Sequence, residues 1–321
     1  MKVRARVAIA AVGAAVAIGP AACSAPPVLS WQPSGDVQSG ASMPPGVIPS
    51  GRGVPVGVFE PGFPGTAAPL ATFYSATGIR PRLALYYSGW PEKFQAGFAR
   101  AAYARGAVPL VQMQPDGINL ATITAGRWDS YLRGFAAAVK AYGHPVILSF
   151  GHEMNGTWYS WGSGHSTPQA FVAAWRHVVQ VFLDAGAANV KWLWTVNDTN
   201  GASPSSPPLS AWWPGTPWVD MVGIDGYYYY PSATFSSVYG PTIAEIRQFT
   251  DAPVMIAEVA VGPNPNREAQ ISGLFAGARA DHIGAVIWFD EAQDDGIYHQ
   301  DWRLEGAPAA DSAFKAADMA G

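Results

Sequence analysis

Cysteine is almost missing from this chain of 321 residues: Cys23 stands alone, so no internal disulfide and no multi-cysteine metal site can form. Charge is scarce as well. Asp, Glu, Lys and Arg make up 13% of the residues, against about 25% in an average soluble protein. The formal net charge is −4, with 19 Lys and Arg in total. A chain so poor in cations has little electrostatic hold on a phosphate backbone or an anionic lipid surface, which argues against a nucleic-acid partner and for a neutral one. Long apolar runs are missing too. The run from Val7 to Gly19 has 13 residues, whereas a membrane-spanning helix needs about 20. What is abundant is aromatic: 13 Trp and 13 Tyr. Either the core is built from rings or some of them line an open surface, where flat apolar ligand faces, such as those of sugars, would stack.

The N-terminus reads as an export signal. Lys2, Arg4 and Arg6 precede the short apolar run, and the small residues Ala21 and Ala22 stand directly before Cys23. That arrangement resembles a bacterial lipoprotein processing site, with Cys23 as the lipidated residue; secretion with Cys23 removed or left free is the alternative. Residues 24–53 are dominated by Ser, Pro and Gly without apolar periodicity. This is the composition of a flexible tether, or of an ordinary disordered N-terminus. The expected organisation is therefore a signal over 1–23, a linker over 24–53 and one catalytic-sized domain over 54–321, extracellular or held at the cell envelope.

From Val54 onward, eight β-rich runs recur: VPVGVFE (54–60), RLALYYSGW (82–90), AVPLVQMQP (107–115), PVILSFGHE (145–153), NVKWLWTVN (189–197), VDMVGIDGY (219–227), APVMIAEV (252–259) and GAVIWFDE (284–291). They are mostly continuous apolar runs rather than alternating ones, which marks strands buried on both faces and a parallel sheet. Helices are expected over about 92–105, 127–142, 241–250 and 266–281. Another is expected from Thr167 as N-cap through Pro168 to Gly186, with Phe171, Trp175, Val178, Val179 and Phe182 on its apolar face. Eight βα units predict an α/β fold of the (β/α)8 TIM-barrel type. The proline-rich stretch 198–218 departs from the rule and predicts a long loop in the fifth crossover.

In such barrels the active site lies at the C-terminal ends of the strands. Those positions hold Glu60, Trp90, Gln112, Gln114, His152, Glu153, Asn197, Asp225, Tyr227, Glu258, Trp288 and Asp290. Glu153 at the fourth run and Glu258 at the seventh stand out, because each follows an apolar stretch where an unpaired carboxylate is costly to bury. Two carboxyl groups across a barrel mouth suit glycoside hydrolysis. A salt bridge at the rim is the alternative for either glutamate alone, and a weaker one for the pair. On opposite sides of the ring they are expected to face each other at about 5–5.5 Å, the spacing of direct attack on the sugar.

The stretch GHEMNGTWYSWG (151–162) resembles the signature of glycoside hydrolase family 26, best known for β-mannanases, with lichenases and 1,3-xylanases as rarer members. WWPGTPWVDMVGIDGY (212–227), IAEV in the seventh run and VIWFD in the eighth extend the resemblance, in the family's order, over about residues 54–321. It implies a retaining enzyme with Glu153 as acid/base and Glu258 as nucleophile. His152, Trp158, Asp225, Tyr227 and Trp288 match positions that surround the sugar at the cleavage point. Phe289 stands where some mannanases carry an arginine, and the first three strand loops offer no counterpart for the family's binding residues.

Chemistry gives the remaining roles. A ring nitrogen of His152 can meet a substrate hydroxyl or a carboxylate, and the Tyr227 phenol can donate to the nucleophile. Trp158, Trp161 and Trp288 are candidate sugar platforms, and Trp90 and Asn197 candidate contacts at strand ends. Trp192 and Trp194 are expected in the core, and Asn155 and Gly156 to shape the turn after Glu153. His144, His152, His165 and His177 lack a ligand spacing, so no metal and no cofactor are expected. The expected partner is a polysaccharide. No nucleic acid is expected, membrane contact only through an N-terminal lipid anchor, and a monomer. A catalytically weak glycan-binding protein on the same fold is the alternative to an enzyme.

Overall fold

The computed structural model describes residues 47–48, 53–198, 206–292, 300–304 and 306–319. Cys23, the export segment and almost all of the expected linker lie outside them. Eight strands form: β1 (Val56–Phe59), β2 (Leu83–Gly89), β3 (Val108–Gln114), β4 (Val146–Phe150), β5 (Val190–Asn197), β6 (Met221–Asp225), β7 (Val254–Val259) and β8 (Val286–Phe289). Each falls inside one of the eight β-rich runs. Neighbours pair in parallel and in chain order, and β8 closes onto β1 with Val56 opposite Val286. The fold is a (β/α)8 barrel.

The helices between them are α1 (Pro69–Thr77), α2 (Ala96–Tyr103), α3 (Leu120–Thr124), α4 (Asp129–Tyr142), α5 (Pro168–Asp184), α6 (Phe235–Ile246), α7 (Arg267–Ala280) and α8 (Pro308–Met319). Helix α5 starts as its sequence dictates, with the Thr167 side chain accepting from the Ala170 amide at 3.2 Å. Two helix starts differ from the sequence expectation, and α6 also ends at Ile246, short of residue 250. Helix α2 begins only at Ala96, because residues 89–92 close a turn through the Glu92 amide and the Gly89 carbonyl at 2.7 Å. Helix α6 begins at Phe235 rather than at Pro241. A capping box between Thr234 and Ser237 starts it six residues earlier, and Pro241 is carried inside the helix. The fifth crossover contains only two 3₁₀ turns among its described residues, Leu209–Trp212 and Thr216–Trp218, as its prolines predict.

Strand alternation sorts the side chains into two layers. Phe59, Leu83, Leu85, Leu110, Ile147, Leu193, Met221, Met255 and Ile287 pack inside the ring. The layer between strands and helices takes most of the aromatic surplus, including Trp175, Trp192, Trp194, Trp212 and Trp288. The interior is tight at its lower end: a Cβ on Gly57 would stand 2.7 Å from Leu83 Cβ and 2.8 Å from Ile287 Cγ1. Gly57→Val should therefore force the ring apart and lower unfolding stability by about 1–3 kcal/mol. Urea denaturation with an unchanged midpoint would show that this layer can yield.

Candidate active site

At the end of β4 the chain turns sharply. Gly151 adopts φ +57°, and Glu153 adopts φ +52°, a left-handed backbone that is costly for a residue with a side chain. The Glu153 amide donates to the Thr195 carbonyl of β5 at 2.9 Å, which pins the turn to the neighbouring strand. From there the Glu153 carboxyl group takes two donors: Trp158 Nε1 to Oε2 at 2.7 Å and Asn197 Nδ2 to Oε1 at 2.8 Å. Each donor is itself placed. The Trp158 indole folds back over Gly156, where a Cβ would meet the ring at 2.3 Å. Asn155 brackets the backbone of Asn197, accepting from its amide at 2.9 Å and donating to its carbonyl at 3.0 Å.

Glu258 reaches the interior by a different device. Ala257 already faces inward with Met255, so simple alternation would turn Glu258 outward. The register shows why it does not: Ile224 pairs with Ile256 but Asp225 with Glu258, and Ile256 with Val286 but Val259 with Trp288. Strand β7 thus carries one extra residue against both neighbours, a β-bulge that resets the count. Glu258 then receives the Tyr87 hydroxyl on Oε1 and the Tyr227 hydroxyl on Oε2, the latter at 2.7 Å. Tyr227 in turn stacks on Trp302 with ring centroids 4.6 Å apart.

Burial governs the electrostatics. Glu153 is 7% exposed and Glu258 6%, so both carboxyl groups are lifted by loss of water, with their hydrogen-bond donors opposing the lift. For Glu258 the charge of Glu153 is the next cause after burial, and the Tyr87 and Tyr227 hydroxyls oppose both. Asp225 is fully buried and neither carboxylate oxygen has a hydrogen-bond partner among the described residues. Burial first, then the charges of Glu258, Glu153 and Asp198, hold it well above the usual carboxylate range. Asp198 rises to about 7 through burial and the charge of Glu153. His152 falls to about 3 by burial and is neutral. Its Nε2 meets the Tyr159 hydroxyl at 3.1 Å rather than either glutamate. Among the described residues no group of three or more His, Cys, Asp or Glu side chains is arranged to hold a metal ion.

The two glutamates therefore converge from β4 and β7 on one end of the ring, in a nest of N–H and O–H donors, beside a third and a fourth carboxyl group. The profile of Glycosyl hydrolase family 26 matches residues 130–264, the segment that contains both. Over that segment the chain matches the family. Over 268 residues, 78% of its length, it is 29% identical to Endoglucanase H of Acetivibrio thermocellus, of which it covers 29%. It is 28% identical to Beta-1,3-xylanase TXYA of a Vibrio species over 103 residues, 32% of this chain and 21% of the relative. The chain thus spans less than a third of the length of these curated relatives. The catalytic domain of a Bacillus sp. JAMB-750 GH26 endo-β-1,4-mannanase superimposes with a TM-score of 0.62 at 16% identity, over 83% of this chain and 85% of that one.

Within this barrel, Glu153, Glu258, Trp158, Asn197, Asp225, Tyr227 and His152 gather at the mouth. Trp158 remains 39% exposed, so one face of its ring is open. Two expected sugar contacts, Trp288 and Trp161, are corrected, and a third, Trp90, is half-buried. Trp288 has no exposed surface: it points outward, donating to the Trp302 carbonyl at 3.0 Å and meeting Phe314 edge-on. Alternation gives the inward place on β8 to Phe289. Trp161 is equally buried, stacked on Tyr159 at 4.3 Å and donating to the His152 carbonyl at 2.8 Å. It is a strut of the loop, not a platform. Trp90 packs edge-on against Trp128, Tyr131 and Phe150 in the outer layer. Asp290 accepts from the Leu304 amide at 2.8 Å and ties the segment after β8 to the strand. The residues that sequence reading missed are Tyr87, Tyr159, Trp302 and Asp198. Tyr87 alone had a legible signal, since counting by twos from Leu83 and Leu85 brings it inward.

The crowded carboxyl groups carry a stability consequence. A carboxyl group whose folded-state pKa lies above its unfolded value destabilises the fold once pH rises past the unfolded value, and the penalty grows until the folded group ionises. Asp225→Asn removes one such group. It should raise the melting temperature at pH 8 by about 2–4 °C for each kcal/mol relieved, and leave it nearly unchanged at pH 4. Calorimetry showing an equal effect at both pH values would assign the change to packing instead.

Proposed function

We propose that this chain is a retaining endo-β-glycanase acting on a neutral β-linked polysaccharide, with mannan or glucomannan the first substrates to test. The observation that carries the reading is that Glu153 and Glu258 share one buried site, close enough for the charge on one to lift the other, while each carboxyl group is held at both oxygens by side-chain donors. In the first step Glu153 gives its proton to the glycosidic oxygen as a carboxylate oxygen of Glu258 bonds to the anomeric carbon. The bond to the leaving sugar breaks and a covalent glycosyl-enzyme forms. In the second step Glu153 takes a proton from water, which attacks the anomeric carbon and releases Glu258. Trp158, Asp225, Tyr227 and neutral His152 surround the reacting sugar in this proposal.

A second reading, a β-glucanase or 1,3-xylanase on the same scaffold, is favoured by one specific observation. Phe289 and Phe59 stack at 4.4 Å beside the site, an apolar wall where some mannanases present an arginine. Endoglucanase H and the beta-1,3-xylanases among the curated relatives agree with this reading, while two others are mannan endo-1,4-beta-mannosidases and agree with the first. Reducing-sugar release from mannan, glucomannan, mixed-linkage glucan and 1,3-xylan ranks these substrates, and no release from any of them favours the glycan-binding alternative. From sequence alone we also propose export, with a tether over 24–53 and a lipid anchor at Cys23; these residues lie outside the described ones. The test is whether Cys23→Ala moves the protein from the membrane fraction to the medium.

Glu153→Ala is expected to slow hydrolysis of natural glycans by about 10²–10⁴-fold and to spare aryl glycosides whose leaving groups need no proton, with azide restoring part of the loss. Equal damage to both substrate types would take the acid/base role away from Glu153. Glu258→Ala should abolish both activities, and proton NMR of early hydrolysis by the unmodified enzyme should show the β-anomer of the new reducing end first. An initial α-anomer would replace double displacement by a single inversion.

A further inference from the structure

Two phenols hold the Glu258 carboxyl group. Tyr227 follows β6 and donates to Oε2 at 2.7 Å. Tyr87 comes from β2, a strand to which the proposed chemistry gives no part, and donates to Oε1. Tyr87 is held between Phe59, edge-on at 5.3 Å, and the His152 ring at 5.6 Å. The titratable groups facing Glu258 are Tyr87 from β2, Glu153 and Tyr159 from the β4–α5 loop, Asp225 from β6 and Tyr227 after it. Strands β8 and β1 present the Phe289 and Phe59 rings on the remaining side.

We infer that Tyr87 is a positioning residue for Glu258: together with Tyr227 it caps both carboxylate oxygens with O–H donors, fixes the plane of the carboxylate and makes Glu258 the anion of the pair. The chemistry of the donors makes the two glutamates unequal. A proton on Glu258 would oblige one phenol to turn its own hydrogen away toward aromatic walls, where it loses its acceptor. Glu153 meets an indole and an amide N–H instead of phenols. Burial keeps both phenols protonated, so they remain donors while the site titrates. Tyr87 thus links the strand opposite β6 to the attacking group and lowers the pH at which that group ionises.

The inference rests on Glu258 being the nucleophile, and the test separates the two claims. A 2-deoxy-2-fluoro glycoside with a dinitrophenolate leaving group inactivates by forming the glycosyl-enzyme without a proton from Glu153, so the acidic limb of its rate against pH reports the ionisation of Glu258. In the unmodified enzyme the label should fall on Glu258; a label elsewhere overturns the nucleophile assignment itself. In Tyr87→Phe the label should stay on Glu258 while the acidic limb moves to higher pH by about 1 unit, because removing a donor to the charged form raises its pKa. Inactivation below the limb should then be about tenfold slower. An unmoved limb with the label on Glu258 overturns the role of Tyr87 and leaves the nucleophile standing. If Tyr87→Phe does not fold, a fluorotyrosine placed at position 87 keeps the ring and strengthens the donor. It should move the limb to lower pH, and an unmoved limb there overturns the inference equally.

Discussion

A closed ring of eight strands lets each strand show its interior only every second side chain, and the mouth of this barrel depends on that count being broken. In β7 the inward places belong to Met255 and Ala257, and only the extra residue relative to β6 and β8 brings Glu258 in after them. Everything around the carboxylate is built to the altered count. Tyr87 keeps ordinary alternation on β2, Tyr227 follows Asp225 on β6, and the Tyr227 ring rests on Trp302 from the segment after β8. Strand β4 breaks the count in another way, through left-handed turns at Gly151 and Glu153. The two glutamates are thus delivered by two unrelated backbone irregularities in an otherwise regular fold.

Such a site is costly to assemble. Four carboxyl groups, Glu153, Asp198, Asp225 and Glu258, are raised by burial, and three of them also by the charge of another of the four. Donors from Trp158, Asn197, Tyr87 and Tyr227 offset part of that cost at the two glutamates, and none is described at the Asp225 oxygens. The rest is carried by the fold. The outer layer of Trp175, Trp192, Trp194 and Trp212 buries large rings between strands and helices. Its apolar burial is the reserve on which a destabilising mouth can draw.

The barrel was legible because buried parallel strands leave continuous apolar runs, and all eight ran true. Glu153 and Glu258 were legible as polar residues closing apolar runs. Direction was harder to read. Trp288 and Phe289 are adjacent, and only the register with β1 shows that Phe289 faces the mouth while Trp288 packs outward. Trp161 sits in a motif rich in rings, and nothing in the motif distinguishes a platform from a strut. Trp302 and Asp198 come from loops whose paths follow no periodicity. The bulge in β7 is likewise invisible in IAEV, since an extra residue in a strand is defined only by what stands opposite.

The left-handed backbone at Glu153 bears on how a chain of this kind can drift. A side chain held at φ +52° gives up about 1–2 kcal/mol that glycine would recover. The residue proposed to protonate the leaving group therefore occupies a position where the polypeptide gains stability by losing it. Without selection for turnover, substitution toward glycine runs downhill in folding energy, while the Trp158 face, the phenols and the ring remain in place. A barrel with the Glu153 carboxyl group missing is in this sense the nearest relaxed form of the fold, one substitution away.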